Sequence, residues 1–176
     1  MSKILSFDAE TNGLWRKAFS IGCVVANENG KELNKFVARC PIKGQVDNYV
    51  KENVIPEMEG IEVTHRDYKS MLKDFMNFYM DNKQDSVILV HMGLPVESRL
   101  FLDAHRLGFI GDCDAPYPLV DISAIPEIGV SPDTYNKNNG IVVPQLSGGT
   151  HNPLYDSWST LLAYQHWISH YNINRK

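Results

Sequence analysis

Ala18-Phe19-Ser20-Ile21-Gly22-Cys23-Val24-Val25-Ala26 is an unbroken run of small and apolar residues, and Asn27-Glu28-Asn29-Gly30-Lys31 follows it. Asn and Gly tolerate positive φ, so Asn29-Gly30 marks a tight hairpin turn. Lys31 to Cys40 then returns as a strand, and Lys3 to Phe7, ahead of the hairpin, reads as another buried strand. The chain therefore opens with a three-strand antiparallel meander. Beyond it the periodicity becomes helical. Tyr68, Met71, Leu72, Phe75, Phe78 and Tyr79 recur at helix spacing up to Asn82, and Thr64 with Asp67 resembles a capping box. Asp47 to Asn53 predicts a short helix inside the irregular stretch Pro41 to Gly60. Ser86 to Val90 is a fourth strand, Pro95 to Leu107 a helix stopped by Gly108, and Tyr117 to Asp121 a short fifth strand. Ser131 to Thr150, rich in Asn, Gly and Pro, reads as a loop. Pro153 opens a last helix with Trp158, Leu161, Leu162 and Ile168 on one face. Hairpin-joined strands followed by alternating strands and helices give an α/β fold. Its five-stranded mixed sheet is antiparallel first and parallel after, with helices on its faces.

The chain has 176 residues, 43% of them hydrophobic, which suits a single domain over residues 1–176. No segment approaches the roughly 20 apolar residues of a membrane span. Met1-Ser2-Lys3 runs straight into a strand pattern, so no signal peptide is expected. Cys23, Cys40 and Cys113 are far apart and form no Cys-x-x-Cys pair. That pattern fits a reducing cytoplasm, not a structural zinc site, with Cys23 as a small core residue. The net charge of −4 argues against an extended duplex binder, because phosphate neutralisation wants Lys and Arg. It leaves room for an enzyme that grips a strand end, since carboxylates holding divalent cations are locally neutral.

Five residues carry the chemistry. Asp8 and Glu10 follow the apolar run Ile4-Leu5-Ser6-Phe7, and strand alternation points both to one side. Two adjacent carboxylates repel unless a cation lies between them. Glu97 follows the fourth strand, with Asp103 as a fallback ligand. His151 and Asp156 stand at the start of the last helix, where Asp156 also suits the helix dipole. Together they read as a carboxylate cage for two divalent ions with a histidine base beside it. Trp15 is placed to stack on a base or to pack. Arg99, Arg106 and Lys137 read as solvated charges, His166 and His170 as surface histidines, and His91 as a hydrogen-bonded core group.

Asp8-Ala-Glu10-Thr-Asn-Gly-Leu, then Glu97, then His151-x-x-x-x-Asp156 resembles the three motifs of the DEDDh 3′–5′ exonucleases. That superfamily includes proofreading subunits and oligoribonucleases on an RNase H-like fold. Asp121-Ile122-Ser123 is similar to a structural segment common there. Tyr49 to Pro56 followed by a helix is similar to a small exoribonuclease subgroup of bacteria and phages. The second motif departs: His91-Met-Gly-Leu-Pro-Val-Glu97 has Glu in place of Asp and one extra residue. The resemblance implies a metal held by Asp8, Glu10 and Asp156, and a second held mainly by Asp8 and reached by Glu97 through water. The ions would lie roughly 3.5–4 Å apart, with His151 as general base. Oxygen ligands suit Mg²⁺ or Mn²⁺. Thr11, Asn12, Gly13 and Leu14 would hold the terminal nucleotide of a single-stranded 3′ end, and a homodimer is the assembly to look for. The alternatives are a catalytically weak or inactive nucleic-acid- or protein-binding module with the same fold, and an RNase H-like endonuclease.

Overall fold

The computed structural model describes residues 3–129, 131–144 and 149–173. Met1 and Ser2, and residues 145–148 of the expected Ser131–Thr150 loop, lie outside the described residues. The strands are β1 (Lys3–Thr11), β2 (Ala18–Asn27), β3 (Glu32–Arg39), β4 (Ser86–Val90) and β5 (Leu119–Asp121). The α-helices are α1 (Tyr68–Asn82), α2 (Val96–Arg106), α3 (Pro132–Asn138) and α4 (Pro153–Ile173). The sheet order is β3-β2-β1-β4-β5. The meander pairs antiparallel, and β4 and β5 add in parallel on the other side of β1. This is the mixed five-stranded sheet expected from the sequence.

Alternation along β1 sends its two sets of side chains to two cores. Leu5, Phe7 and Ala9 face α1 and α2, where Phe75 and Phe101 pack on Phe7 with ring centroids 5.4 and 5.8 Å away. Burying each such ring contributes on the order of 2–3 kcal/mol. Ile4 faces the other way with Val24, Ala26 and Leu89, under Leu154, Trp158 and Leu161 of α4. Asp8 lies on that second face, level with Gly22 across the ladder.

Gly22 sets how closely α4 approaches. A Cβ there would overlap the backbone of Pro153 and Leu154, so only glycine lets the helix start lie directly on the strand. Ser157 Oγ then donates to the Gly22 carbonyl at 3.1 Å.

Several local readings change. The cap of α1 is Asp67, whose carboxylate accepts from Ser70 N at 2.8 Å. Thr64 instead pairs with Arg39 and His65, because its segment runs back along the end of β3. Val50–Val54 forms a wide π turn followed by a 3₁₀ turn over Pro56–Met58. The expected loop contains α3. Ser131 caps it through Thr134 N, Pro132 pre-sets the first turn, and Asn136 anchors it to the Ser159 carbonyl of α4. The Asn-rich composition hid this helix. β5 loses its first two expected residues, Tyr117 and Pro118, because proline has no N–H for a ladder. Cys23 is buried in the core as expected.

Gly22→Ala is expected to destabilise the protein by about 1–3 kcal/mol through displacement of α4. Urea unfolding measures it, and an unchanged midpoint would remove the close approach from its central role.

Candidate active site

β1 leaves regular pairing through a bulge between Glu10 and Thr11. Just before it, Asp8 and Glu10 project toward the first turn of α4, which carries Asp156. Oxygen atoms of Asp8, Glu10 and Asp156 all lie within 4.8 Å of one another. The first turn of α4 is fixed by Asn152, whose side-chain oxygen accepts from Leu154 N and Tyr155 N. The strand pair, the close packing over Gly22 and this cap together bring carboxylates from sequence positions 8, 10 and 156 to one point.

His151 reaches the cluster from the edge. Its backbone holds φ at +75°, uncommon for a residue with a side chain, and its N–H donates to Asp156 Oδ2 at 2.8 Å. Nδ1 lies 3.4 Å from Glu10 Oε1, and Nε2 is 3.2 Å from the Tyr49 hydroxyl. Glu57 accepts from Gly149 N at 3.0 Å and tethers the same loop. Neither Tyr49 nor Glu57 was assigned a role from the sequence. Tyr49 caps the π turn and Glu57 lies inside the 3₁₀ turn, and neither geometry leaves a periodic signature.

Glu97, at the start of α2, is buried and turned toward the backbone. Its Oε1 accepts from Ala9 N at 3.0 Å. Pairing of β1 with β4 ends at Ser6, so Ala9 N lies beyond the ladder and the carboxylate fills the acceptor position. Glu97 is thus close to the cluster without joining the group of three converging ligands. Asp121 anchors the loop leading to it, accepting from Met92 N at 3.0 Å and Gly93 N at 2.9 Å. Asp103, the fallback ligand, is instead committed to Tyr68 OH at 2.9 Å and Arg99 at 3.4 Å.

The residues expected to hold a nucleotide separate into two kinds. Asn12 is buried, and both ends of its amide are engaged: Nδ2 donates to Gln45 O, and Oδ1 accepts from Asp47 N. It therefore pins the loop that carries Tyr49. Thr11 ends β1, Gly13 holds φ at +94° with open space beside it, and Leu14 and Trp15 are exposed. His91 is hydrogen-bonded as read from the sequence, though only half-buried. Its ring bonds the Gly129 backbone, while Nε2 has no partner among the described residues. His166 bonds Tyr135 OH at 2.9 Å and lies against His170, away from any group of converging ligands.

The electrostatics follow from crowding. Burial, then repulsion from Asp156, Glu97 and Glu10, holds the Asp8 carboxyl well above the usual range. Burial first and Glu10 second push Asp156 up to about 8. Burial pushes Glu97 up to about 8 as well, against the opposing pull of backbone N–H donors. The hydrogen bond to Glu10 raises His151, with its own burial acting the other way. The cluster thus retains protons wherever no cation offsets its charge. A set of three oxygen donors at this spacing fits a hard divalent cation.

The architecture is an RNase H-like fold. Among solved structures, exonuclease I has a TM-score of 0.65 at 12% identity, covering 96% of this chain and 41% of its own. Exonuclease X in complex with 5′ overhanging duplex DNA gives 0.60 at 17% identity, covering 97% and 92%. Exonuclease I of E. coli in complex with a 5cy-dT13 oligonucleotide gives 0.62 at 11% identity, covering 97% and 41%. The chain spans about two fifths of the exonuclease I chains and nearly all of exonuclease X. No family model and no curated protein matches the sequence.

The shifted carboxyls make stability depend on pH in a defined direction. Asp156 and Glu97 titrate near 8 when folded and near ~4 when unfolded, so the folded chain binds more protons between those values. Their contribution to the stability of the metal-free protein is therefore fully present below about pH 4 and is lost as pH rises through about 8. Mg²⁺ competes with those protons, so its gain in Tm is expected to be larger at about pH 8 than at about pH 5.5. Thermal scans with and without chelator measure this; equal gains at both pH values would contradict it.

Proposed function

We propose that this chain is a divalent-metal-dependent 3′–5′ exonuclease acting on single-stranded RNA or DNA. The observation that carries this reading is the convergence of Asp8, Glu10 and Asp156, from a strand and a helix, with the His151 imidazole beside Glu10. The fold shared with exonucleases I and X supports it. Asp8, Glu10 and Asp156 would hold one Mg²⁺ or Mn²⁺, and Asp8 would share a second that Glu97 reaches through water. When bound, such ions offset the carboxylate charge, attract the scissile phosphate and acidify a water molecule. His151 takes the proton of the attacking water at a ring nitrogen. The water oxygen would bond to phosphorus, the bond from phosphorus to the 3′-oxygen would break, and that oxygen would take a proton from solvent while His151 returns its own to solvent. Tyr49 and Glu57 hold the base over the cluster, while the exposed Leu14 offers apolar contact to the terminal base. No helix among the described residues is long and apolar enough to cross a membrane.

A second reading, a catalytically weak binding module, is favoured by one contact: Glu97 Oε1 is already engaged with Ala9 N.

Incubation of 5′-labelled single-stranded RNA and DNA with Mg²⁺, Mn²⁺ or chelator decides between them. A ladder shortening from the 3′ end, absent with chelator, is the expected result; intact substrate in every arm favours the binding module. His151→Ala is expected to lower turnover by about 10²–10⁴-fold with strand binding retained. Wild-type turnover in that variant would remove His151 from the reaction.

A further inference from the structure

Past the end of β1, on the α1 and α2 side of the sheet and sharing none of the three carboxylates, lies an open cleft of about 510 Å³. Asn12, one residue past β1, forms part of its wall. The wall continues through the start of β2, the chain leaving β3, the first turn of α1 and Arg99 of α2. Arg16, Lys17, Lys43, Lys69 and Arg99 line it, against the single carboxylate of Asp67. That carboxylate is occupied, capping α1 and pairing with Arg66. Arg99 is shared with Asp103 and the Trp15 carbonyl. Among the described residues, Arg16, Lys17, Lys43 and Lys69 make no ion pair; Lys17 lies 5.4 Å over the Tyr68 ring.

In a chain of net charge −4, such a concentration of cations without counter-charges is a local reversal of sign. Like charges gathered in one cleft repel, and a polyanion relieves that repulsion while releasing its own counterions. The Trp15 indole, 71% exposed, lines the same cleft. Unpaired cations beside an exposed aromatic ring match the needs of single-stranded nucleic acid: phosphates to neutralise and bases to stack.

We infer that this cleft binds the phosphate backbone of the substrate strand on the 5′ side of the scissile end, with Trp15 stacking on a base. The assignment rests on the nuclease reading, which places the 3′ end at the carboxylates and so leaves only the 5′ side of the strand for the cleft. It makes the cleft the determinant of length preference. A strand long enough to run from the cluster into the cleft is held by both, and a shorter one by the cluster alone.

The test measures binding of a labelled single strand of about twelve nucleotides, in chelator so that nothing is cut, by fluorescence anisotropy over a salt series. Oligoribonucleotide and oligodeoxynucleotide arms share the phosphodiester chemistry and reveal any preference for one sugar. Lys43 and Lys69 are both exposed, so the double variant Lys43→Ala with Lys69→Ala is expected to fold normally. It should weaken binding roughly tenfold at low salt and make the slope of log affinity against log salt shallower by about 1.4. Trp15→Ala should weaken binding with the slope retained. Lys35→Ala, on β3 and paired with Glu32, is the control that should bind like wild type. A double variant with wild-type affinity and slope overturns the cleft, as does a wild-type protein that binds neither strand. Lysine-dependent binding without any cutting in Mg²⁺ would uphold the cleft as a strand-binding site and sink the nuclease. Cutting with an unaltered slope in the double variant would do the reverse.

Discussion

The start of α4 lies directly on β2 because position 22 has no side chain. The convergence of the three carboxylates follows from that close approach. Gly22 and Asp8 are neighbours across the β1–β2 ladder, so the helix turn that settles over one is brought to the other. The Ser157 hydroxyl, bonded to the Gly22 carbonyl, fixes the turn's height above the sheet. Asp156 then meets Asp8 and Glu10 at its tip. Apolar burial under Leu154, Trp158 and Leu161 supplies the driving force for docking, but is non-directional. The glycine converts that general attraction into one position.

The same docking creates the main electrostatic strain of the molecule. Three carboxylates converge, with Glu97 buried nearby, and among the described residues the sole basic side chain paired with them is a histidine. Protons relieve the repulsion in the metal-free chain, which is why burial and crowding lift Asp8, Asp156 and Glu97 together. A folded core therefore stabilises an arrangement that its charges oppose. Such conflict between packing and charge is the usual mark of a site whose ligand is a cation.

The sheet was legible in the sequence because period-two alternation and an Asn-Gly turn are short-range signals. So was the convergence of Asp8, Glu10 and Asp156, since two lie late in a strand and the third in the first turn of a helix. The helix inside the Ser131–Thr150 segment was hidden by residues of poor helix propensity, although Ser131-Pro132 is a fair cap. Gly22 was readable too: an isolated glycine within an otherwise apolar strand signals a close backbone neighbour, but not which one. Contacts such as Tyr49 with His151, Glu57 with Gly149 and Asn12 with Asp47 join residues far apart in sequence. No periodicity encodes them. Asn12 looked like a ligand contact because polarity after an acidic motif is ambiguous until burial is known. The basic cleft was equally invisible, since its cations come from four separate segments and the overall charge is negative.

The imidazole and the carboxylates are held by different parts of the chain. Strand and helix position the acids, whereas Tyr49 and Glu57, on an irregular segment outside the sheet, steady the loop bearing His151. The two halves of the site can therefore drift separately over evolutionary time. Val50 and Val54 of that segment are buried in the core, so Tyr49 and Glu57 are the positions free to change identity while strand and helix hold the three carboxylates together. A change at either would loosen the imidazole and leave the three acids converged on an intact core.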